Sequence, residues 1–243
     1  MKGEYSHVAL VLAGGQGQRM CSPCPKQFVQ VQGQPVIAYV LRAFSRAPFG
    51  AVYVVCAPQW YSFVEQAARQ VGCTAFRGCL PAGVTSFDSI HHGVEGLLQA
   101  GYDAGHTAVT LHESVRPLLP AQVIDDNLRV FAQRGNAISA VRSNEAYMVS
   151  ADGCESVQWL AREQLYRAQT PQTFTLQCLQ QVFAEAARQG ITQSQSLYTL
   201  MRQVYPDKPL YISAGSELNF KLTLPSDMYM LRALLALPAD QRP

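Results

Sequence analysis

The chain has 243 residues, 48% of them hydrophobic and 15% charged, with a formal net charge of +2. That length and apolar content can supply a substantial core, and the near-neutral balance excludes the clustered basic face that nucleic-acid binding needs. No apolar run reaches the ~18 residues of a membrane span. The N-terminus runs straight into the first predicted strand without a signal-peptide pattern, so a cytoplasmic protein with no membrane partner is expected.

The run Val8–Leu12, V-A-L-V-L, has the length and β-branched content of a buried strand. A small-residue loop, Ala13–Gly17, follows it. Gln34–Phe44 places Val36, Ile37, Val40, Leu41 and Phe44 on a helical stripe. Ala51–Cys56 reads as a second strand and Ser62–Val71 as a helix. Thr74–Phe76 is a short edge strand, Pro81–Thr85 a turn-rich loop and Ser86–Gln99 a helix. Thr107–Leu111 is a strand, Pro120–Arg134 a helix with Gly135 as its stop, and Ala137–Val141 the next strand. Strands alternating with such helices predict an α/β fold with a Rossmann-like, mainly parallel sheet.

The rhythm breaks after Val141. Residues roughly 142–168 are polar, with a turn at Ala151-Asp152-Gly153, and predict an inserted β-arm. Gln177–Gln189 and Gln195–Gln203 read as helices, Leu210–Ser213 and Asn219–Leu222 as strands, and Ser226–Leu237 as a closing helix. No linker or repeat divides the chain, so residues 1–243 are read as a single domain.

Seven cysteines stand at 21, 24, 56, 73, 79, 154 and 178, an odd and scattered set that reads as reduced thiols. Cys21-Ser22-Pro23-Cys24 is formally C-x-x-C, but no second pair stands at zinc-site spacing.

Chemistry concentrates on Val8–Lys26. Glycines let main chain approach a ligand, so that amides can point at phosphate oxygens. Arg19 and Lys26 add two cations on the same loop. The stretch is not a P-loop, since Gln27 follows Lys26, and Met20 stands where a dinucleotide loop has its third glycine. In such sheets ligands bind beyond the carboxyl ends of the strands. That singles out Ala13–Lys26, Ala82–Ser89, His112–Pro117, Arg142–Glu145 and Asn219–Thr223.

The pattern L-A-G-G-x-G-x-R-M…P-K-Q-F resembles the signature of the cytidylyltransferases that load sugar-alcohol phosphates onto CTP, making CDP-methylerythritol or CDP-ribitol. H-E-S-V-R-P, L-Y-R-A-Q-T-P-Q-T-F and N-F-K-L-T extend the resemblance from about His7 to Leu231. It implies a nucleotidyltransferase, GT-A-like fold, CTP and a polyol phosphate as substrates, Mg²⁺ as cofactor and a homodimer joined through the arm. It implies that Arg19, Lys26 and Lys221 grip the triphosphate. Ala13, Gly14, Gly15, Gly17, Gly83 and Ser89 then bind the nucleotide. Glu113 stands at the family's metal-binding Asp, Arg162 at an arginine reaching the acceptor phosphate across the dimer, and Asn144 and Thr192 at further substrate contacts.

The chain also departs from that pattern. Ser86 replaces an arginine in G-x-x-R-x-x-S, Glu113 is one methylene longer than Asp, Asn144-Glu145 replaces Asp-Thr, and Thr192-Gln193-Ser194 lacks an acidic pair. H-E-S-V-R-P and L-Y-R-A-Q-T-P-Q-T-F look more like the ribitol-phosphate branch. Two other readings stay open: a nucleotide-binding paralogue with weakened or lost catalysis, and a nucleotidyltransferase using another base or acceptor.

Overall fold

A computed structural model describes residues 5–15 and 24–238. Its first strand, β1 (Ser6–Leu12), is buried on both faces because it runs inside the sheet. Val8 and Leu10 pack into one core, and Ala9 and Val11 into another on the opposite face. Two-sided burial explains why β1 is a continuous apolar run without alternation.

The remaining strands are the short β2 (Gln30–Val31) and β3 (Gln34–Pro35), then β4 (Ala51–Cys56), β5 (Phe76–Pro81), β6 (Thr107–Glu113), β7 (Asn136–Arg142), β8 (Tyr166–Thr175) and β9 (Ile212–Ala214). Seven form one sheet in the order β5-β4-β1-β6-β8-β7-β9, and β2 pairs with β3 separately. β8 alone runs against its neighbours β6 and β7; the other pairings in the large sheet are parallel. The sheet is therefore mainly parallel, as the βαβ rhythm predicts.

Helices α1 (Val36–Ser45) and α2 (Tyr61–Gln70) cover one face, joined there by the start of α4 (Ala121–Arg134). Helices α3 (Ser86–Gln99), α5 (Leu176–Arg188) and α6 (Leu197–Val204) cover the other. Helix α7 (Pro225–Ala236) packs Met228, Leu231 and Leu235 against Val31, Val36, Val115 and Leu222. Gly135 ends α4 with φ +84°, a left-handed stop that glycine adopts at little cost.

Three sequence expectations change. The edge strand is not Thr74–Phe76 but β5, which occupies part of the expected loop; the strand F-R-G-C-L-P is half-exposed, shifts register near Val52/Tyr53 and carries Gly78 at φ +141°. Asn219–Leu222 is not a strand. Its main chain is taken up by neighbouring loops: Leu222 N–H donates to Val115 O, and Leu222 O accepts from Lys26. Thr170–Phe174, which carried no strand expectation, lies in β8. Gln169, Thr170, Gln172 and Thr173 are buried there, so no apolar alternation marks the strand. Thr173 Oγ1 instead donates to Asn127 Oδ1 at 2.6 Å and lies 2.8 Å from Thr110 Oγ1.

Between β7 and β8 the chain leaves the sheet. One antiparallel bridge, Val149 with Gln158, flanks a turn in which Ser150 Oγ accepts from Gly153 N–H and Asp152 Oδ1 from Cys154 N–H. Val157 and Trp159 there are 92% and 84% exposed.

Candidate active site

The carboxyl ends of β1, β5 and β6, the amino end of α3 and the Lys221 segment enclose a cleft of about 1070 Å³. That is the position expected for a ligand on a parallel sheet. Gly14, Gly15, Lys26, Gly83, Ser89, Glu113 and Lys221, all named from sequence, line it.

Two glycines are required by close approach. A Cβ on Gly14 would lie 2.7 Å from Ala82 Cβ, and one on Gly83 would lie 2.1 Å from Asp88 Cβ. Their bare backbones let the β1 and β5 loops close against α3. That helix starts with a capping box: Asp88 N–H donates to Thr85 Oγ1, and Thr85 N–H to Asp88 Oδ2. The Thr85 hydroxyl and amide hold the Asp88 carboxyl below its ordinary range, so it stays ionised. Ser89 Oγ accepts from Gly83 N–H at 3.1 Å and donates to Thr85 O at 2.8 Å, which fixes the same loop.

Lys26 is 8% exposed, and its Nζ donates to Leu222 O at 2.5 Å. This bond brings residue 222 to the glycine loop across 196 positions of sequence. The neighbouring Lys221 turns its Nζ to Glu113 Oε1 at 2.5 Å, while Arg116 Nε donates to Glu113 Oε2 at 2.8 Å. Burial alone would raise the Glu113 carboxyl; Lys221 and Arg116 outweigh it and push the value down to about 2. Glu113 is therefore ionised at neutral pH and held between two cations.

His112 is buried behind it. Its Nε2 lies 3.2 Å from Arg116 O, a pure acceptor, so Nε2 carries the proton and Nδ1 accepts from Thr170 Oγ1 at 3.1 Å. Burial pushes its pKa down to about 4. A neutral imidazole with both nitrogens engaged orients the loop and is not placed as a base. Thr170 Oγ1 also accepts from Glu113 N–H, and Asn219 Nδ2 donates to Thr170 O at 2.6 Å. Arg116 Nη1 completes the ring by donating to Asn219 O at 2.8 Å.

Other predicted residues lie elsewhere. Ala13 sits beneath the cleft, with its N–H donated to Val55 O and its carbonyl bonded by Gln27. Asn144 and Arg162 are exposed in the arm, and Thr192 is exposed between α5 and α6; none of the three lines this cleft. Gly17, Arg19 and Cys21 lie outside the described residues. Cys24 is half-buried against the α1–α2 core as a free thiol.

Sequence reasoning missed Gln27. It is buried, and its Nε2 donates to Ala13 O at 2.6 Å and Gly15 O at 2.9 Å. Holding both carbonyls fixes the loop that carries Gly14 and Gly15 to the cleft. Gln27 Oε1, His92 Nδ1 and Ser114 Oγ are buried without a hydrogen-bond partner among the described residues, and all three residues line the cleft. A buried polar atom without a partner costs about 1–3 kcal/mol.

Residues 7–236 match the family model described as "IspD: 2-C-methyl-D-erythritol 4-phosphate cytidylyltransferase". A ribitol-5-phosphate cytidylyltransferase of Streptococcus agalactiae serotype III is 31% identical over 230 residues, covering 94% of this chain and 95% of the relative. A 2-C-methyl-D-erythritol 4-phosphate cytidylyltransferase of Geotalea uraniireducens is 30% identical over 232 residues, covering 93% and 95%. Among solved structures, the 4-diphosphocytidyl-2C-methyl-D-erythritol synthase of Anaerococcus prevotii shares the fold with a TM-score of 0.77 at 18% identity, covering 96% of this chain and 99% of that one. The Thermus thermophilus 2-C-methyl-D-erythritol 4-phosphate cytidylyltransferase does so with a TM-score of 0.72 at 23% identity, covering 97% and 100%. The glycine-edged cleft with its buried lysine thus lies in a sequence that matches one family along nearly its whole length, and the chain belongs to the IspD family of cytidylyltransferases, enzymes of the nucleotidyltransferase class.

Proposed function

We propose that this enzyme transfers CMP from CTP to ribitol 5-phosphate and releases pyrophosphate. The observation that carries the transfer reading is one cleft lined together by Gly14, Gly15, Lys26, Glu113 and Lys221. The ribitol choice is supported by the H-E-S-V-R-P and L-Y-R-A-Q-T-P-Q-T-F stretches and by the name of the Streptococcus relative.

The acceptor's phosphate oxygen is already a nucleophile, so the enzyme's work is positioning and charge stabilisation. That oxygen attacks the α-phosphorus of CTP in line, a new P–O bond forms, and the bond to the β-phosphate oxygen breaks. Lys26 stabilises charge growing on the α-phosphate, and Lys221 exchanges its bond to Glu113 for one to the triphosphate. Arg19 supplies a further cation from the first loop. The bare backbones of Gly14, Gly15 and Gly83 admit the nucleotide, and Ser89, which holds the Gly83 amide, fixes the loop that meets the base. Arg162 from the partner's arm grips the acceptor phosphate as a bidentate guanidinium, with Asn144 and Thr192 near the polyol.

The donor set suits Mg²⁺ as a nucleotide complex. Each Glu113 oxygen accepts one charged hydrogen bond and keeps lone-pair capacity, and Mg²⁺ commonly takes one or two carboxylates with phosphates and water. Among the described residues no group of three His, Cys, Asp or Glu side chains is placed to hold a metal by itself. Bound at Glu113, the ion would neutralise triphosphate charge.

Pyrophosphate release with CTP, tried with ribitol 5-phosphate and methylerythritol 4-phosphate, tests the reading. Ribitol 5-phosphate is expected to give the higher kcat/KM by about ten-fold or more, the scale of a site matched to one hydroxyl pattern. Preference for methylerythritol 4-phosphate would replace the acceptor and keep the reaction. Silence with both acceptors, while CTP still binds, would favour a second reading that the Lys221–Glu113–Arg116 pairing makes specific: a nucleotide binder whose metal carboxylate is neutralised by its own side chains.

A further inference from the structure

Behind the loop that carries Glu113 lies a second cavity, of about 250 Å³. Helix α1 faces it with Tyr39, Arg42 and Ala43, and its C-cap with Arg46, at a spacing that continues the same side of the helix. The 117–121 segment, Leu218 and the end of α7 close the other walls, and these are apolar. No carboxylate lines the cavity among the described residues. Arg42 Nη2 donates to Gln34 Oε1 at 2.6 Å and its guanidinium lies 5.9 Å from the Tyr39 ring centre, which leaves Nε and Nη1 without hydrogen-bond partners among the described residues. The Arg46 side chain is exposed and has no ion-pair partner among them. Two guanidinium groups at an apolar cavity without a counter-ion complement a ligand with a negative head and an apolar body. The volume lies below the ~300–1,000 Å³ of drug-sized sites, so the body is short.

The walls are not independent of the cleft. Pro117 follows Arg116, which holds Glu113 and Asn219 O, and Leu218 precedes Asn219. Lys221, the other partner of Glu113, stands three residues beyond Leu218. Both wall segments therefore run directly into the ion network that faces the nucleotide.

We propose that this cavity binds a short amphipathic oxyanion, carboxylate- or phosphate-headed, and that its occupancy changes the affinity of the cleft for CTP. The head pairs with Arg42 and Arg46 while the body lies on the 117–121 wall. The probes are octanoate, octyl phosphate and neutral octan-1-ol, titrated calorimetrically into the full chain, followed by CTP titration with and without the saturating anion. At least one anion is expected to bind one per chain, about ten-fold tighter than octan-1-ol, and Arg42→Gln/Arg46→Gln to lose about ten-fold. Arg46→Gln alone, which leaves the Arg42–Gln34 bond intact, is expected to lose part of that affinity while binding CTP normally in the absence of anion. The tighter anion names the head group. Saturation is expected to shift the Kd for CTP about five-fold in the native chain and not in the double variant. Equal binding of octan-1-ol, or of the anions to the double variant, overturns the site; a CTP affinity indifferent to saturation overturns the coupling.

Discussion

Glu113 ties the stability of the fold to the proposed site. Its carboxylate sits between Arg116 and Lys221, and its folded pKa of about 2 lies below the ordinary value of 4.5. A depressed folded value stabilises the native state above the unfolded pKa, and that stability is lost as pH falls from about 4.5 toward 2. The contribution is on the order of 3 kcal/mol at neutral pH. Urea unfolding of native and Glu113→Gln chains checks it: their stability difference is expected to shrink steadily across that window. A pH-independent difference would mean that the ion pairs do not set the value. The placing of Glu113 at the cleft was legible from a strand-end H-E-S-V-R-P; that of Gln27 was not. A buried amide that bonds two carbonyls leaves no periodic trace in a three-residue turn. Gln27→Leu is expected to raise the Kd for CTP about ten-fold while costing about 1–3 kcal/mol of stability, since Ala13 O and Gly15 O lose a donor. Unchanged CTP affinity in a destabilised variant would confine Gln27 to a structural role.

At the scale of elements, the amino end of α3 is where fold and site meet. The Gly83 position has no room for a Cβ, 2.1 Å from Asp88 Cβ, whereas a Cβ on Gly15 meets nothing within 4 Å among the described residues. Gly83→Ala is therefore expected to cost about 1–3 kcal/mol and to abolish measurable CTP binding, and Gly15→Ala to leave stability within about 0.5 kcal/mol. Calorimetric CTP binding and urea midpoints check the pair; equal effects at both positions would contradict the close-packed loop. Helices and the apolar interior strands β1, β4, β6 and β7 were readable because apolar spacing reports burial on one or both faces. β8 and the Asn219–Leu222 segment were misread for a shared reason. Polar side chains and loop carbonyls satisfy their backbones and cores, as in Thr173 with Asn127 and Leu222 with Lys26, so hydrophobic pattern reports neither correctly.

Across the whole molecule, the sheet brings Lys26, Glu113 and Lys221 to one edge although the chain separates them by more than a hundred positions at its widest steps. The mainly parallel character of the sheet followed from the βαβ rhythm; the meeting of residue 221 with the first loop did not, because no local pattern encodes it. The arm is left with Met148, Val157 and Trp159 at 80%, 92% and 84% exposure, an apolar surface that a partner would cover. Val157→Ser/Trp159→Ser is expected to convert a sedimenting dimer to monomer while CTP binding persists. A native chain that already sediments as a monomer would contradict the shared-arm arrangement.

Two lysines far apart in sequence are expected to act on the same triphosphate. A double-mutant cycle in kcat/KM for CTP, using Lys26→Met and Lys221→Met, measures that directly. Each single change is expected to cost about 10²-fold or more, and the pair to fall short of the sum by about 1 kcal/mol or more, as groups sharing one ligand do. Costs that add within about 0.5 kcal/mol, or a lysine whose loss leaves turnover intact, would contradict the account.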